Sequence, residues 1–234
     1  MNRRKPTKKP TAQEILARLR ESGNPDGLAG MARYGIATEN ALGVSVPALR
    51  GLARELGKDH ALALALWETG VHEARMLAGL VDDPAAVTEE QMEAWACDFD
   101  SWDLCDGVCA NLFDRTPLAW AKAREWAARE ATFTKRAGFA LMAALAVHDK
   151  KAPDGAFLDL LPLIVREATD ERNFVKKAVN WALRQIGKRD RALHAAAIAA
   201  AGEIRALDAK AARWIASDAL RELESQAVRA RLRR

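Results

Sequence analysis

The sequence predicts an all-α protein of short helices stacked as antiparallel pairs, and three observations carry that prediction. Alanine dominates the second half, while β-branched runs and alternating polar–apolar patterns are scarce, which favours helix over strand. Apolar residues recur at helical spacing in one segment after another. Glycine, proline and capping residues separate these segments by connections of a few residues, short enough to fold each helix back on its neighbour.

In chain order, Thr11 caps a helix running through Ile15, Leu16 and Leu19 to Gly23, and Pro25 starts a second that ends near Gly35. Gly43–Pro47 is a connection, with Ser45 as cap and Pro47 in the first turn of a helix that carries Leu49, Leu52, Ala53 and Leu56 and stops at Gly57. Leu62 to Trp67 follows, closed by Gly70, then His72 to Val81, ended by Asp82-Asp83-Pro84. Thr88-Glu-Glu-Gln91 has the form of a capping box opening a helix to about Cys97. Trp102–Phe113 comes next, then a helix begun by Pro117 through Trp120 and Trp126, and one from Phe133 to His148. Asp154–Ala168 is interrupted at Pro162, Glu171–Gly187 and Asp190–Ala206 are uninterrupted, and Asp208 to the C-terminus makes two helices.

Helix pairs of roughly 35–45 residues stacked in succession predict a curved α-solenoid of HEAT-like antiparallel pairs, with a compact bundle as the alternative. A chain of 234 residues, 50% hydrophobic, can bury one sizeable core. The expected organisation is a basic disordered arm over 1–10 and a single helical-repeat domain over 11–234. Of the net charge of +4, Arg3, Arg4, Lys5, Lys8 and Lys9 supply more than the whole, leaving the remainder at −1. The body is therefore not generally basic, and any polyanion site must be local. The arm adds weak affinity for a polyanion or is simply a solubilising leader.

No apolar stretch follows the N-terminal charges and no run reaches membrane-spanning length, so neither a secretory leader nor a membrane partner is expected. Cys97, Cys105 and Cys109 make an odd set that suits reduced, buried thiols in a cytoplasmic protein. A zinc site is the sharper reading of these cysteines, but no C-x-x-C pair and no suitably spaced histidine supports it. No metal or other cofactor is expected, and the expected state is a monomer.

Seven tryptophans against one tyrosine call for explanation. Ser101 is placed to cap a helix with its side-chain oxygen, and the helix then puts Trp102 and Asp106 one turn apart on one face. Leu104, Cys105, Val108, Cys109 and Leu112 define a core side roughly 80–100° wide, with Asp106 outside it and Trp102 at its edge. A flat ring beside a carboxylate can stack on something planar and stabilise something positive. By itself the pair has a plain explanation: the ring covers the core and the acid complements the helix dipole.

A second helix, Asn173–Lys188, changes that balance. Its core arc is Val175, Ala178, Val179, Ala182, Leu183 and Ile186, and Trp181 points about 120° from the centre of the arc at 100° per residue. Lys177, Arg184 and Lys188 flank Trp181 on that side. Cation–π pairing with Lys177 or Arg184 would account for it structurally. A basic stripe around a stacking ring is equally what a helix laid along a phosphate backbone needs. Lys135 and Arg136 extend the basic region near the start of the preceding helix, where cations oppose the macrodipole without an evident folding reason.

Ser101-Trp-Asp-Leu-Cys-Asp106, Thr134-Lys-Arg-Ala-Gly-Phe-Ala140 and Asn173-Phe-Val-Lys-Lys-Ala-Val-Asn-Trp-Ala-Leu-Arg184 resemble the DNA alkylation repair family, the AlkD-type HEAT-like DNA glycosylases. Gly43-Val-Ser-Val-Pro-Ala-Leu-Arg50 and His72-Glu-Ala-Arg75 resemble it too, in the same order along the chain. The resemblance implies a helical array that grips duplex DNA carrying alkylated bases and hydrolyses the N-glycosidic bond of cationic purines such as 3-methyladenine or 7-methylguanine. It implies Asp106, Trp102, Trp181 and Arg136 as the catalytic set, with Lys135, Lys177, Arg184 and Lys188 contacting DNA. It also implies an open surface without a base pocket, although base flipping is common among glycosylases.

The chemistry suits these residue types. An alkylated purine departs neutral, so no general acid is needed, and one carboxylate can stabilise the oxocarbenium-like sugar and position a water. No lysine nucleophile motif points to a lyase step. The competing function is a non-catalytic HEAT-like scaffold that binds DNA or protein, with the tryptophans serving packing.

Overall fold

Thr11 opens the first helix, α1 (Ala12–Glu21), through a reciprocal cap: its hydroxyl accepts from the Glu14 N–H while the Glu14 carboxylate accepts from the Thr11 N–H at 2.7 Å. The computed structural model describes residues 9–232, so most of the basic arm expected over 1–10 lies outside the described residues. Lys9 lies inside them and pairs with Asp59 at 2.8 Å. Helices α2 (Pro25–Arg33), α3 (Val46–Leu56), α4 (His60–Trp67) and α5 (His72–Val81) follow. Gly57 and Gly70, at φ 69° and 68°, end α3 and the turn after α4 in the left-handed region that a side chain would strain.

The described residues group into two compact units, divided in sequence between Thr88 and Glu89. In the first, α5 packs against α3 and α4, and α1 against α4. Buried Glu73, in the first turn of α5, accepts from the N–H groups of Leu42, Gly43 and Val44, the shortest at 2.7 Å. One carboxylate thus satisfies a run of backbone donors and fixes the connection that leads into α3.

The second unit contains α6 (Glu89–Cys97), α7 (Trp102–Asn111), α8 (Ala119–Ala127), α9 (Thr132–His148), α10 (Asp154–Leu158), α11 (Leu161–Arg166), α12 (Asn173–Gly187), α13 (Arg191–Ala206), α14 (Lys210–Leu223) and α15 (Gln226–Leu232). Single 3₁₀ turns at Phe113–Arg115 and Glu167–Thr169 complete it. Pro162 stands in the first turn of α11, which is why the apolar run from Asp154 divides there. Among the described residues there is no strand, no helix long and apolar enough to cross a membrane, and no cluster of candidate metal ligands. The all-α expectation holds.

Helices α7, α9, α12 and α14 lie side by side in that order. They run parallel, because partners advance together along each pair. Cys105 and Cys109 of α7 donate to the carbonyls of Phe133 and Ala137 of α9. Arg136 near the start of α9 meets the Phe174 carbonyl at the start of α12, a step of 38 residues. Asn180 of α12 meets Asp218 of α14 at 2.6 Å, again 38 residues on. Three helices of this row are partnered by a shorter or more alanine-rich one, α8 against α9 and α13 against α12 and α14. That is the stacked-pair arrangement and not an up-and-down bundle.

The core follows the row. Helix α9 is buried continuously from Thr134 to Ala146, and Phe113, Trp126, Phe139 and Phe157 fill the space around it. Gly138 lets α8 approach: a Cβ there would stand 2.8 Å from Ala127 Cα and 2.9 Å from the Trp126 carbonyl carbon. Behind Trp126, buried Lys122 binds Glu89, Glu93 and Glu125 at 2.6–2.8 Å, and Trp126 Nε1 donates to Glu93 at 2.9 Å.

Candidate functional site

Trp102 is the first residue of α7 and Asp106 lies one turn further on the same face, as their spacing requires. Ser101 stands at the N-cap position, but its hydroxyl donates to Asp100 at 3.1 Å and makes no cap bond. The expectation of a side-chain cap is corrected there: the buried hydroxyl is committed one residue back.

Arg136 meets Asp106 side by side, Nε to Oδ1 at 2.8 Å and Nη2 to Oδ2 at 2.7 Å, while Nη1 donates to the Phe174 carbonyl at 2.6 Å. The guanidinium carbon lies 6.0 Å from the centre of the Trp102 ring. Side-chain exposure falls to 18% for Asp106 and 7% for Arg136. Burial pushes the Asp106 carboxyl above the ordinary aspartate range, although Arg136 pulls the other way. For Arg136, burial works against the charge, but Asp106 more than offsets it and holds the guanidinium above its usual pKa.

Trp102 and Trp181 are both half-buried and neither is sealed in the core. Trp181 sits two turns into α12, beyond Phe174, whose ring packs on Phe133 of α9 at 5.3 Å. Three helices of the row therefore meet at one place, Trp102 and Asp106 from α7, Phe133 and Arg136 from α9 and Phe174 from α12, while Lys177 and Trp181 lie one and two turns further along α12.

The cations around this region are mostly occupied. Lys135 is buried and pairs with Glu167 at 2.8 Å and Asp170 at 3.5 Å. Burial opposes it, yet Lys135 and Arg166 keep Glu167 below the usual glutamate range. These pairs, with Arg136–Asp106, supply the folding reason for cations early in α9 that helix-dipole reasoning did not find. Arg184 binds Glu222 and lies 3.7 Å from Asp218, and Lys188 binds Glu222 at 2.6 Å. So Arg184 turns to carboxylates of α14 and not to the Trp181 ring. Of the four cations expected at a phosphate backbone, Lys177 is the one that is exposed and carries no ion pair among the described residues.

Sequence reasoning found the α7 and α12 faces but missed the groups that hold them: the Phe174 carbonyl, Glu167, Asp218 and Glu222. The recurring 38-residue step is the signal that could have found the last two, since adding it to Asn180 and Arg184 lands on both. Cys105 and Cys109 are buried free thiols, and burial pushes the Cys105 thiol well above its usual value, leaving it a packing group. A cleft of about 610 Å³ lies at the C-terminal ends of α9 and α12, lined by Lys150, Asp154, Arg189 and Arg231 among others. Its ends are opposite to those that carry Trp102 and Arg136.

Residues 15–223 match the family model described as DNA alkylation repair enzyme. A solved structure described as "a new family of proteins related to the HEAT-like repeat DNA glycosylases with affinity for branched DNA structures" superposes with a TM-score of 0.78. It is 22% identical to this chain, and the match covers 95% of this chain and 96% of that one. A likeness of that extent establishes the HEAT-like repeat fold. Among curated proteins, none matches the sequence.

Proposed function

We propose, for a chain that belongs to the DNA alkylation repair enzyme family, that it is a monofunctional DNA glycosylase acting on cationic alkylated purines in duplex DNA. The observation that carries this reading is the Asp106 carboxylate, held side by side with Arg136, whose guanidinium lies over the Trp102 ring. Each Asp106 oxygen accepts one bond from Arg136 and keeps a further lone pair. An ionised carboxylate so oriented stabilises positive charge developing at the anomeric carbon and accepts a hydrogen bond from the incoming water.

In the reaction, the bond from the anomeric carbon to the purine nitrogen breaks and its electron pair leaves with the base, cancelling the base's positive charge. Water adds at the anomeric carbon and loses a proton to solvent, leaving an abasic site. Trp102 and Trp181 pack against the sugar–phosphate at the lesion, and Lys177 contacts phosphate. Arg136 orients Asp106, and the two N–H groups it does not spend on Asp106 and Phe174 are left for the phosphate nearby. Lys135, Arg184 and Lys188 contribute to DNA contact only where phosphates displace their carboxylate partners.

The test is to incubate the protein with methylated duplex DNA and measure released purine and abasic sites. Asp106→Asn should lose most excision while keeping or raising DNA affinity, and Trp181→Ala should weaken both. Wild-type excision by Asp106→Asn would remove the carboxylate from the mechanism. A second reading, a DNA-binding HEAT-like scaffold without excision, is favoured by one observation: Arg136 already engages both Asp106 oxygens. The solved relative described by its affinity for branched DNA is consistent with it. Under that reading wild-type protein binds the same DNA and releases no base.

A further inference from the structure

Trp214 lies one turn into α14, the last helix of the parallel row, and its ring is 39% exposed, where Trp67 and Trp126 are 1% and 0% exposed. Across the 38-residue step, Lys176 of α12 places its ammonium 5.1 Å from the ring centre. One side of the indole therefore carries a cation, and among the described residues Lys176 makes no ion pair that would draw it away. Lys177, one turn into α12, and Lys210, the first residue of α14, are both exposed and have no ion pair among the described residues. Among the described residues Arg213 pairs only with fully exposed Asp208, at 3.2 Å. Glu171 caps the start of α14 by accepting from the Ala211 N–H at 3.0 Å, so the feature is the ring and its cations and not the helix end.

We propose that Trp214, with Lys176, Lys177 and Lys210, is a second nucleic-acid contact that stacks an unpaired base next to the duplex. This rests on the reading of the chain as a DNA-binding repair protein. Bases inside a duplex already stack on their neighbours and offer no face to an indole, whereas a base in a single-stranded tail or fork does. Stacking on an aromatic ring is tolerant of base identity, and the surrounding cations match the strand's phosphates. Lys176 on one side and a base on the other would sandwich the ring. With adjacent helices 8–10 Å apart, α14 stands roughly 16–20 Å from Arg136, the length of about five or six base steps.

The experiment compares full-length protein binding to a blunt duplex and to the same duplex ending in a single-stranded tail, by fluorescence anisotropy at fixed salt. The wild type should bind the tailed DNA about tenfold more tightly. Trp214→Ala should abolish that gain and leave blunt-duplex affinity unchanged, while Trp214→Phe should retain most of it. The proposal is overturned if the tail adds nothing in the wild type. It is also overturned if Trp214→Phe loses blunt and tailed binding equally. Tail binding that needs Trp214, without any duplex binding, upholds the stacking site and removes the repair reading. Failure to bind either DNA removes both.

Discussion

Replacing Arg136 with methionine should destabilise the protein and move the titration of Asp106 together, and the size follows from the site. Arg136 is 7% exposed and Asp106 18%, so removing the cation strands a carboxylate with little access to water. Breaking a fully buried pair from one side costs about 3–5 kcal/mol. The residual exposure of Asp106 and its freedom to take up a proton lower that figure, while the lost bond to the Phe174 carbonyl adds about 1 kcal/mol. About 3 kcal/mol is the expected loss, or roughly 6–12 °C in melting temperature for a unit of this size. Asp106→Asn, which keeps the shape and one acceptor, should cost about 2 kcal/mol. The double variant should cost less than the sum, with a coupling of about 1.5–2 kcal/mol. Chemical denaturation of all four proteins gives the cycle. Additive losses, with coupling under about 0.5 kcal/mol, would show that the pair is a surface contact and that the site is not preorganised as described.

Further outcomes follow from the same geometry. Because burial raises the Asp106 carboxyl, excision that needs its ionised form should fall off on the acid side at a pH above ordinary aspartate titration, near 4. Arg136→Met should move that limb higher still, as single-turnover base release across roughly pH 4–8 would report. Lys122→Met should cost about 1–2 kcal/mol, discounted because its three glutamates are 30–59% exposed. Glu93 and Glu125 are held below the usual glutamate range by Lys122, so their contribution is present above the unfolded pKa and lost as pH falls through the folded one. The stability gap between wild type and Lys122→Met should therefore close on acidification. Gly138→Ala gains about 1 kcal/mol of helix propensity but drives a methyl into the backbone of α8, for a net loss of about 2 kcal/mol in a melting experiment. Lys177→Ala should reduce the slope of DNA affinity against salt by about 0.9, whereas Lys135→Ala should act mainly on stability.

The helices were legible because their ends are written locally. Thr11, Pro25, Gly57, Gly70 and Pro162 each mark a boundary through their own backbone preferences, and the structure places ends within a few residues of them. The placement of Trp181 off the core arc was legible for a similar reason, since a helical wheel needs only its own segment. What the wheel does not see is the neighbouring helix. Lys135, Arg184 and Lys188 look like a free basic stripe in one dimension, yet Glu167 and Glu222, more than thirty residues away, claim them in three. Ser101 failed as a cap for a smaller reason of the same kind: Asp100 competes for its hydroxyl. The site's charge balance is thus a property of the stacking, and only the residue types come from the motif.

The 38-residue step shared by the α9–α12 and α12–α14 pairs has a consequence for how this molecule tolerates change. A substitution at Asn180 or Asp218 disturbs one crosspiece between two neighbours. A residue inserted within α14 ahead of Asp218, by contrast, turns Asp218 and Glu222 together by about 100° and breaks both crosspieces at once. Point changes should therefore fade within one pair, whereas insertions should be accepted in the connections and rejected inside the helices of the row.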